Sequence, residues 1–312
     1  MGEFDLIRRF FQRPAADGVE VGVGDDCAVL VPTPGMHWLV SSDMLVEGRH
    51  FLSTVDPARL GHKALAVNLS DLAACGATPR GFTLALALPR VDEAWLTGFA
   101  QGLWSLANAS GCPLVGGDTT QGPLNLCITV FGEAPPGQAL LRSGARVGDE
   151  IWVSGRLGDA RLALEVFRGR VALGADEFEQ ARAAMERPTP RLALGQALRG
   201  IATAALDVSD GLLGDLGHIL AASGVGARID MDALPRSAVL AAQPAALQRE
   251  CLLAGGDDYE LVFTAPAGVK LPGVGVALTR IGRIEAEPGL RVVDAQGVPI
   301  DHGLRSFDHF KT

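Results

Sequence analysis

Strand-like and helix-like segments alternate along the whole chain, and this alternation constrains the possible folds more than any other feature. In the first half, residues 37–46 and 81–89 are rich in apolar and β-forming residues, and a long helical pattern lies between them. The second half repeats this order, beginning with a strand-like segment within residues 145–155. Because strands and helices alternate in both halves, we expect mixed α/β (α+β) domains whose sheets are flanked by helices.

The clearest predicted helix begins after Asp56, which can cap it, and has Pro57 in its first turn. Apolar residues recur at helical spacing from Leu60 to Ala74, and Asp71 falls on the same face. A carboxylate on an apolar face is costly unless it has a partner. Asp71 is therefore a stronger candidate for a functional contact than an acidic residue on a polar surface.

Length and charge exclude some classes of protein. The chain has 312 residues, which suggests about two domains, and a proline-glycine turn at 135–137 predicts a boundary between residues 1–140 and 141–312. The net charge is −9 without a run of Lys or Arg, so we expect no nucleic-acid partner. No apolar run is long enough to cross a membrane, and the five cysteines form no CxxC pair, as is typical of reduced thiols in a cytoplasmic protein.

Acidic residues recur in glycine-rich turns, at the ends of predicted strands and on the face of the predicted helix. They are Asp25, Asp26, Asp43, Asp71, Asp118, Asp207, Asp210, Asp257 and Asp258. Strand ends and turns are where α/β proteins build binding sites, and Mg²⁺ prefers carboxylate oxygens together with substrate phosphates. Since several carboxylates would repel an anionic substrate, we expect several Mg²⁺ ions between the protein and the phosphates.

Each of these residues also has a purely structural interpretation, because Gly-Asp pairs make turns and Asp caps helices. His50 could be an ordinary polar residue, Arg142 a surface residue, and the Ser-Asp-Gly turn at 209–211 a simple helix start. The chain has no GxxxxGK[ST] loop, no protein-kinase motif set and no GxGxxG loop that opens a helix. A phosphoryl-transfer enzyme with this sequence must use another scaffold.

A set of short motifs occurs in one order from about residue 2 to residue 310. The motifs are GEF, VGDDCAVL, SSDMLVEGRHF, NLSDLAACGATP, VGGDTT, LLRSGARVGDEIWVSG, LGDAR, RPTPR, DVSDGL, GGDDYEL and FDHF. In this order they resemble the thiamine-monophosphate kinase family, within the aminoimidazole-ribonucleotide synthetase-like superfamily. The resemblance implies two domains, an N-terminal ATP- and Mg-binding and dimerisation domain in residues 1–140 and a C-terminal α/β domain in residues 141–312. It also implies a homodimer whose N-terminal domains pair, with ATP in a groove between them.

The resemblance further implies ATP-dependent phosphorylation of thiamine monophosphate to thiamine diphosphate, giving ADP, by direct in-line transfer. The implied Mg²⁺ ligands are Asp26, Ser41, Ser42, Asp43, Asp71, Asp118, Asp207 and Asp210. The implied ATP contacts are Gly117, Asp118, Arg142 and Ser209, and the implied acceptor contacts are His50, Asp257 and Phe307. Among these metal ligands, the resemblance implies a catalytic role for Asp71, Asp118 and Asp210.

Two positions depart from the family pattern. Asp257 stands where relatives commonly have Glu, and Ala100 stands where relatives can carry an aromatic residue beside the adenine. Two alternatives stay open: another ATP-using enzyme of the same superfamily, or a non-catalytic nucleotide or metal sensor. Every Asp of the implied metal set is present in this chain, which favours catalysis, and ADP release with and without thiamine monophosphate separates enzyme from sensor.

Overall fold

The computed structural model describes residues 2–14, 16–304 and 306–307. These residues form two compact units. The N-terminal unit falls within residues 1–72 and 77–137, and the C-terminal unit within residues 73–76 and 138–312. Each unit combines helices with a β-sheet, so the predicted mixed α/β fold is confirmed.

The N-terminal unit carries a four-stranded sheet, a two-stranded sheet and three α-helices in the described residues. The helices are α1 (Glu3–Leu6), which continues into a π-helical turn (Ile7–Phe11), α2 (Pro57–Ala74) and α3 (Glu93–Ser110). The strands are β1 (Val19–Val21), β2 (Val29–Leu30), β3 (His37–Val46), β4 (Thr78–Leu88), β5 (Leu114–Gln121) and β6 (Asn125–Ala134). The larger sheet has the order β3-β6-β4-β5, in which only the β4–β5 pair is parallel.

The two faces of this four-stranded sheet differ in burial. Successive strand residues point to opposite faces, and on β4 the buried Leu84 and Leu86 alternate with less buried neighbours. Helix α2 lies against the buried face, since the Leu72 side chain reaches the backbone of Gly132 in β6. On the opposite face of β3, Val40 is 60% exposed. The sheet of the N-terminal unit is therefore covered on one face and open on the other.

The C-terminal unit carries a six-stranded mixed sheet with the order β12-β9-β11-β7-β10-β8. Its strands are β7 (Glu150–Ser154), β8 (Ala204–Asp207), β9 (Gly226–Asp230), β10 (Leu261–Ala265), β11 (Leu278–Glu285) and β12 (Gly289–Val293). Its helices are α4 (Asp159–Phe167), α5 (Ala175–Glu186), α6 (Leu192–Ala197), α7 (Leu212–Ser223), α8 (Ala238–Ala241) and α9 (Ala245–Ala254), with a 3-10 turn at Met231–Ala233.

Strand β10 lies inside the C-terminal unit and is buried along its whole length. Val262 joins one hydrophobic cluster together with Ile151 of β7, while Leu261 and Phe263 join a second cluster. Because alternate residues of a strand point to opposite faces, the two clusters cover the two faces of the sheet. This sheet is therefore packed on both sides within one chain.

The local predictions of the N-terminal half are confirmed. Strand β3 covers the predicted segment, and the Asp56 carboxylate accepts hydrogen bonds from the Ala58 and Arg59 amides (2.9 and 3.1 Å) at the start of α2. Pro57 is the first residue of that helix. None of the helices in the described ranges combines the length and the apolar character that a bilayer-spanning helix needs.

The last segment, residues 289–300 (GLRVVDAQGVPI), has two strand-like arms around a turn and so predicts a hairpin, which the structure forms only in part. One antiparallel bridge, between Val293 and Pro299, has hairpin geometry. Its first arm, β12, instead pairs in parallel with β9, a partner that the local sequence pattern does not predict. Because β9 offers a hydrogen-bonding edge from a distant part of the chain, the pairing of β12 depends on tertiary contacts.

Candidate active site

The first group of predicted site residues joins β3 to α2. Ser41 and Asp43 are two residues apart on β3 and therefore point to the same face. The Ser41 hydroxyl donates a hydrogen bond to the Asp71 carboxylate of α2. The Asn68 side-chain oxygen accepts the Asp43 backbone N–H (3.0 Å), while its amide nitrogen donates to the Ala64 carbonyl (3.0 Å). These contacts bring the Asp43 and Asp71 carboxylates to one side of the sheet.

Ser42 points to the opposite, open face of the sheet. Its hydroxyl donates a hydrogen bond to the Ile128 carbonyl (3.1 Å) and lies 2.9 Å from the Thr129 hydroxyl. The Ser42 hydroxyl is therefore on the other side of β3 from Asp71. A metal contact from Ser42 would have to use its backbone carbonyl, and this contact stays a prediction.

Gly117 and Asp118 lie on β5, at the far edge of the same sheet. Gly117 has φ +144°, and a Cβ atom there would lie 1.9 Å from the Leu84 carbonyl oxygen of β4. Only glycine therefore allows β5 to pair with β4 at this position. Asp43 is in register with Gly117 through Ile128 and Leu84, so three strand spacings, about 14 Å, separate the Asp43 and Gly117 backbones.

The loop that carries Asp26 reaches the Gly117 edge of the sheet. Val23 lines a cavity of about 40 Å³ together with Gly117 and Asp118, and its carbonyl accepts a hydrogen bond from the Gln12 side chain (3.1 Å). Asp26 follows three residues later and is exposed. The structure thus brings the Asp26 loop towards Asp118, on the opposite edge of the sheet from Asp43.

His50 lies in the turn that follows β3. Its Nδ1 atom accepts the Val46 backbone N–H (3.0 Å), and the His50 N–H donates to the Val46 carbonyl (3.0 Å). Because Nδ1 is used as an acceptor, the neutral imidazole carries its proton on Nε2. The turn therefore fixes His50 as a hydrogen-bond donor at Nε2, a group suited to an anionic oxygen.

In the C-terminal unit, the Ser-Asp-Gly turn at 209–211 connects β8 to α7. Asp207 is the last residue of β8 and is buried. The Asp215 carboxylate, in the first turn of α7, accepts hydrogen bonds from the Asp210 and Gly211 amides (3.1 and 3.0 Å). Burial, together with the neighbouring Asp210 charge, raises the pKa of the Asp215 carboxyl to about 7. Asp215 therefore holds the turn that presents Asp210.

Residues predicted to contact the acceptor are tied to this same turn. The Asp257 N–H donates to the Ser209 carbonyl (2.8 Å), and the Phe307 N–H donates to the Asp210 carbonyl (3.1 Å). Asp257 has φ +63°, a left-handed conformation that is uncommon for a residue other than glycine. Backbone strain of this kind concentrates at functional sites. The structure thus joins two predicted acceptor residues to Ser209 and Asp210.

Arg142 lies in the exposed loop before β7. The Ser223 hydroxyl, at the end of α7, accepts the Gly144 and Ala145 amides (both 3.1 Å) and donates to the Arg142 carbonyl (3.3 Å). The loop backbone is therefore fixed, while the Arg142 residue is exposed. This arrangement leaves the guanidinium at the protein surface.

The predicted metal site combines carboxylates from several elements. Across residues 2–14, 16–304 and 306–307, no three His, Cys, Asp or Glu side chains gather closely enough to hold a metal ion. The predicted cage of several carboxylates therefore stays a prediction, as do the individual ligand roles.

Sequence reasoning missed two residues that position the site. Asn68 precedes Asp71 by three residues, so both lie on one face of α2, and this spacing could have identified it. Asp215 lies four residues after Gly211, where an acidic side chain in the first turn can accept unpaired amides. Both sequence spacings are common in helices, so neither identifies a site residue until the hydrogen bonds of the side chain are known.

Comparison with known proteins identifies the family. Residues 24–134 match the family described as AIR synthase related protein, N-terminal domain, and residues 146–295 match the C-terminal domain of the same description. The chain is 47% identical to the thiamine-monophosphate kinase of Salmonella typhimurium, covering 100% of this chain and 99% of that protein.

Solved structures agree with this similarity. The crystal structure of thiamine-monophosphate kinase from Stenotrophomonas maltophilia K279a is 45% identical, with a TM-score of 0.85 over 91% of this chain and 93% of the other. AaThiL complexed with AMPPCP and TMP is 30% identical, with a TM-score of 0.79 over 90% and 89% of the two chains. The chain therefore belongs to the thiamine-monophosphate kinase family, whose two parts are AIR synthase related domains.

Proposed function

We propose that this chain transfers the γ-phosphate of ATP to thiamine monophosphate, giving thiamine diphosphate and ADP. The observation that carries the proposal is the similarity to thiamine-monophosphate kinases along the entire chain, in sequence and in fold. AaThiL, a structural neighbour, was solved with AMPPCP and TMP. The Asp43 and Asp71 carboxylates on one side of the sheet and the glycine-rich edge at Gly117 support a site for phosphates.

The transfer is a direct in-line displacement. An oxygen of the acceptor phosphate forms a bond to the γ-phosphorus, the bond from that phosphorus to the β–γ bridging oxygen breaks, and its electron pair leaves with ADP. The acceptor oxygen is already ionised near neutral pH, so the reaction needs no strong general base. The contribution of the protein is positioning together with electrostatic stabilisation.

The donor atoms of the site fit Mg²⁺. Ser41, Asp43 and Asp71 offer hard oxygen atoms on one side of the sheet, and Mg²⁺ typically binds one or two carboxylates with waters and substrate phosphates. When bound, the ion neutralises phosphate charge and stabilises charge on the transferring group. Asp26, Asp118, Asp207 and Asp210, with the carbonyl of Ser42, complete the proposed ligand set.

The remaining residues have roles in binding the two substrates. Gly117, Asp118, Arg142 and Ser209 contact ATP in this proposal, with Asp71, Asp118 and Asp210 closest to the transferred group. His50, through its Nε2 proton, and Asp257 and Phe307, through their attachment to the 209–211 turn, face the acceptor. Phe307 is 49% exposed, and an aromatic face attracts a cationic thiazolium ring.

We assign ATP binding and dimerisation to residues 1–140 and the second α/β domain to residues 141–312. The open face of the four-stranded sheet, which exposes Trp38, Val40 and Met44, supports a homodimer, because exposed apolar patches mark interfaces. A homodimer can also place the sheet edge that carries Asp43 in one copy next to the edge that carries Asp118 in the other. Both edges can then contribute to the binding of one nucleotide. The five free cysteines support a cytoplasmic location.

The test is ADP release by the purified chain with ATP and Mg²⁺, with and without thiamine monophosphate. Acceptor-dependent ADP release, together with thiamine diphosphate identified by mass spectrometry, is the expected result. A nucleotide or metal sensor would bind ATP without acceptor-dependent turnover. Release of ADP that ignores the acceptor would instead point to another ATP-using enzyme of the superfamily.

A further inference from the structure

Residues 306 and 307 are joined by three hydrogen bonds to the Ser-Asp-Gly turn and to the first turn of α7. The Gly214 N–H donates to the Ser306 hydroxyl oxygen (2.6 Å), and that hydroxyl donates to the Gly211 carbonyl (3.3 Å). The Phe307 N–H donates to the Asp210 carbonyl (3.1 Å). The Ser306 hydroxyl therefore donates to Gly211, the last residue of the Ser-Asp-Gly turn, and accepts from Gly214 in the first turn of α7.

The helix surface at this contact is shaped for Ser306. A Cβ atom on Gly214 would lie 2.7 Å from both the Cβ and the hydroxyl oxygen of Ser306. Real Cβ atoms do not approach other heavy atoms so closely, so any side chain at position 214 would displace Ser306. Glycine in a helix is less favourable than alanine. Gly214 therefore makes the helix less stable, but its lack of a side chain allows Ser306 to pack closely against α7.

We propose that Ser306 and Gly214 form a latch that holds the Phe307 backbone on the Ser-Asp-Gly turn and so positions the Phe307 ring for the acceptor. Ser306 is a positioning residue in this scheme, since it acts through Phe307. The inference rests on the proposed function, in which Phe307 contacts thiamine monophosphate.

The attachment points explain why the latch affects the acceptor more than ATP. Asp257, the other proposed acceptor residue of this unit, binds the Ser209 carbonyl, and Phe307 binds the adjacent Asp210 carbonyl. Ser306 contacts only the Gly211 carbonyl of the turn, whereas the Asp210 and Gly211 amides are held separately by Asp215. Loss of the latch would therefore release Phe307 while the amides that hold the turn keep their partner.

The sharpest test compares two glycines of α7. Gly214→Ala fills the space that Ser306 occupies, whereas a Cβ atom at Gly217 meets no heavy atom within 4 Å. Alanine has a higher helix propensity than glycine, so propensity alone should not make either variant less thermally stable. We expect Gly214→Ala to raise the KM for thiamine monophosphate about five- to tenfold, the effect of one or two lost hydrogen bonds. The KM for ATP should change less than about twofold, and Gly217→Ala should change neither constant.

Ser306→Ala removes the hydroxyl from the other partner and should give the same shift in the acceptor KM. The double variant Gly214→Ala/Ser306→Ala should be no worse than either single variant, because both break one contact. Unchanged acceptor KM values in both single variants would overturn the latch. An equal rise in the KM for ATP would also overturn it, because the effect would then be a general loss of structure.

Amide hydrogen exchange gives a readout that does not depend on turnover. The Phe307 amide should exchange more slowly in the wild type and in Gly217→Ala than in Gly214→Ala or Ser306→Ala. If the wild type shows no acceptor-dependent turnover, the proposed function fails and the acceptor role of the latch fails with it. If turnover is present and the exchange is the same in all four proteins, only the latch is refuted.

Discussion

The two units of this chain complete their sheets in different ways. In the N-terminal unit, β3 alternates between residues that face α2 and residues such as Val40 that face outwards. In the C-terminal unit, every residue of β10 is buried, with Ile151 and Val262 on one side and Phe263 on the other. Both faces of the C-terminal sheet are covered by residues of its own unit. The N-terminal sheet instead exposes apolar side chains on one face, a feature typical of interaction surfaces.

The two units also hold their candidate site residues in different ways. The N-terminal unit holds carboxylates on a sheet whose edges are about three strand spacings apart, while the C-terminal unit ties its site residues to one turn through backbone hydrogen bonds. We therefore expect substitutions in the C-terminal core to act on folding. Substitutions on the N-terminal sheet should act on turnover or on association.

The largest expected effect tests the closed packing of the C-terminal sheet. Phe263 is fully buried, so Phe263→Ala should lower the free energy of unfolding by about 3–5 kcal/mol through lost burial and a cavity. Urea unfolding followed by circular dichroism measures the change. Val147→Ala, at a position 60% exposed in the same unit, is the control and should stay within about 0.5 kcal/mol. A loss below about 1 kcal/mol for Phe263→Ala would show that this sheet is not tightly packed.

The second effect concerns catalysis in the N-terminal unit. Asp71→Asn removes a charge but keeps an oxygen that can accept the Ser41 hydrogen bond, so kcat should fall about 100-fold or more with little change in Tm. Steady-state kinetics at saturating Mg²⁺ and a thermal melt measure the two quantities. Asp92→Asn is the matched control: Asp92 caps the N-terminus of α3, and Asn caps a helix about as well as Asp. Near-normal turnover of Asp71→Asn would remove Asp71 from the catalytic set.

The third effect tests whether the open face of the N-terminal sheet is an interface. Val40 is exposed in a single chain, so the lysine of Val40→Lys stays in contact with water in the monomer. If a second copy covers this face, the charge becomes buried and opposes association. The dissociation constant of the dimer should rise about tenfold or more, measured by analytical ultracentrifugation. Val147→Lys, which is equally exposed in the C-terminal unit, should leave association unchanged. Equal association of the two variants would contradict the proposed dimer.

The smallest effect depends on pH and tests the buried charges of the C-terminal unit. Burial raises the pKa of the Asp159 carboxyl, although the Ser237 hydroxyl opposes this with a hydrogen bond (2.6 Å). A pKa raised in the folded state gives a stabilising contribution that is complete below the unfolded pKa and is lost as the pH rises through the folded pKa. Asp159→Asn is neutral at every pH, so it should raise Tm by about 2 °C at pH 8 and by less as the pH falls towards 4. A gain that does not vary with pH would contradict this origin.

Local signals in the sequence were sufficient for much of the fold. The cap at Asp56, the first-turn Pro57 and the apolar periodicity predicted α2, because each acts within a few residues. Strands β9 and β11 were not predicted, and the partner of β12 was missed with them. Their pairing joins distant segments, so propensity within one segment does not determine it.

The candidate site was predictable in its residue types but not in its geometry. The period of two in a strand already places Ser41 and Ser42 on opposite faces, a conclusion that the sequence alone allowed. The contact of Ser41 with Asp71 requires the packing of α2 on the sheet, and the support of the 209–211 turn by Asp215 requires the fold of that turn. Pattern and resemblance therefore name the candidates, whereas tertiary packing decides which of them meet.

The order of strands in the C-terminal sheet has a consequence for synthesis on the ribosome. Strand β7 lies between β10 and β11, and both neighbours come much later in the chain. Leu261, whose amide binds the Ser154 hydroxyl, lies 107 residues after it. At a translation rate of about 10 residues per second, β7 waits roughly ten seconds without either neighbour. During that interval both of its edges stay open in the nascent chain, so the centre of this sheet closes only after most of the unit has emerged.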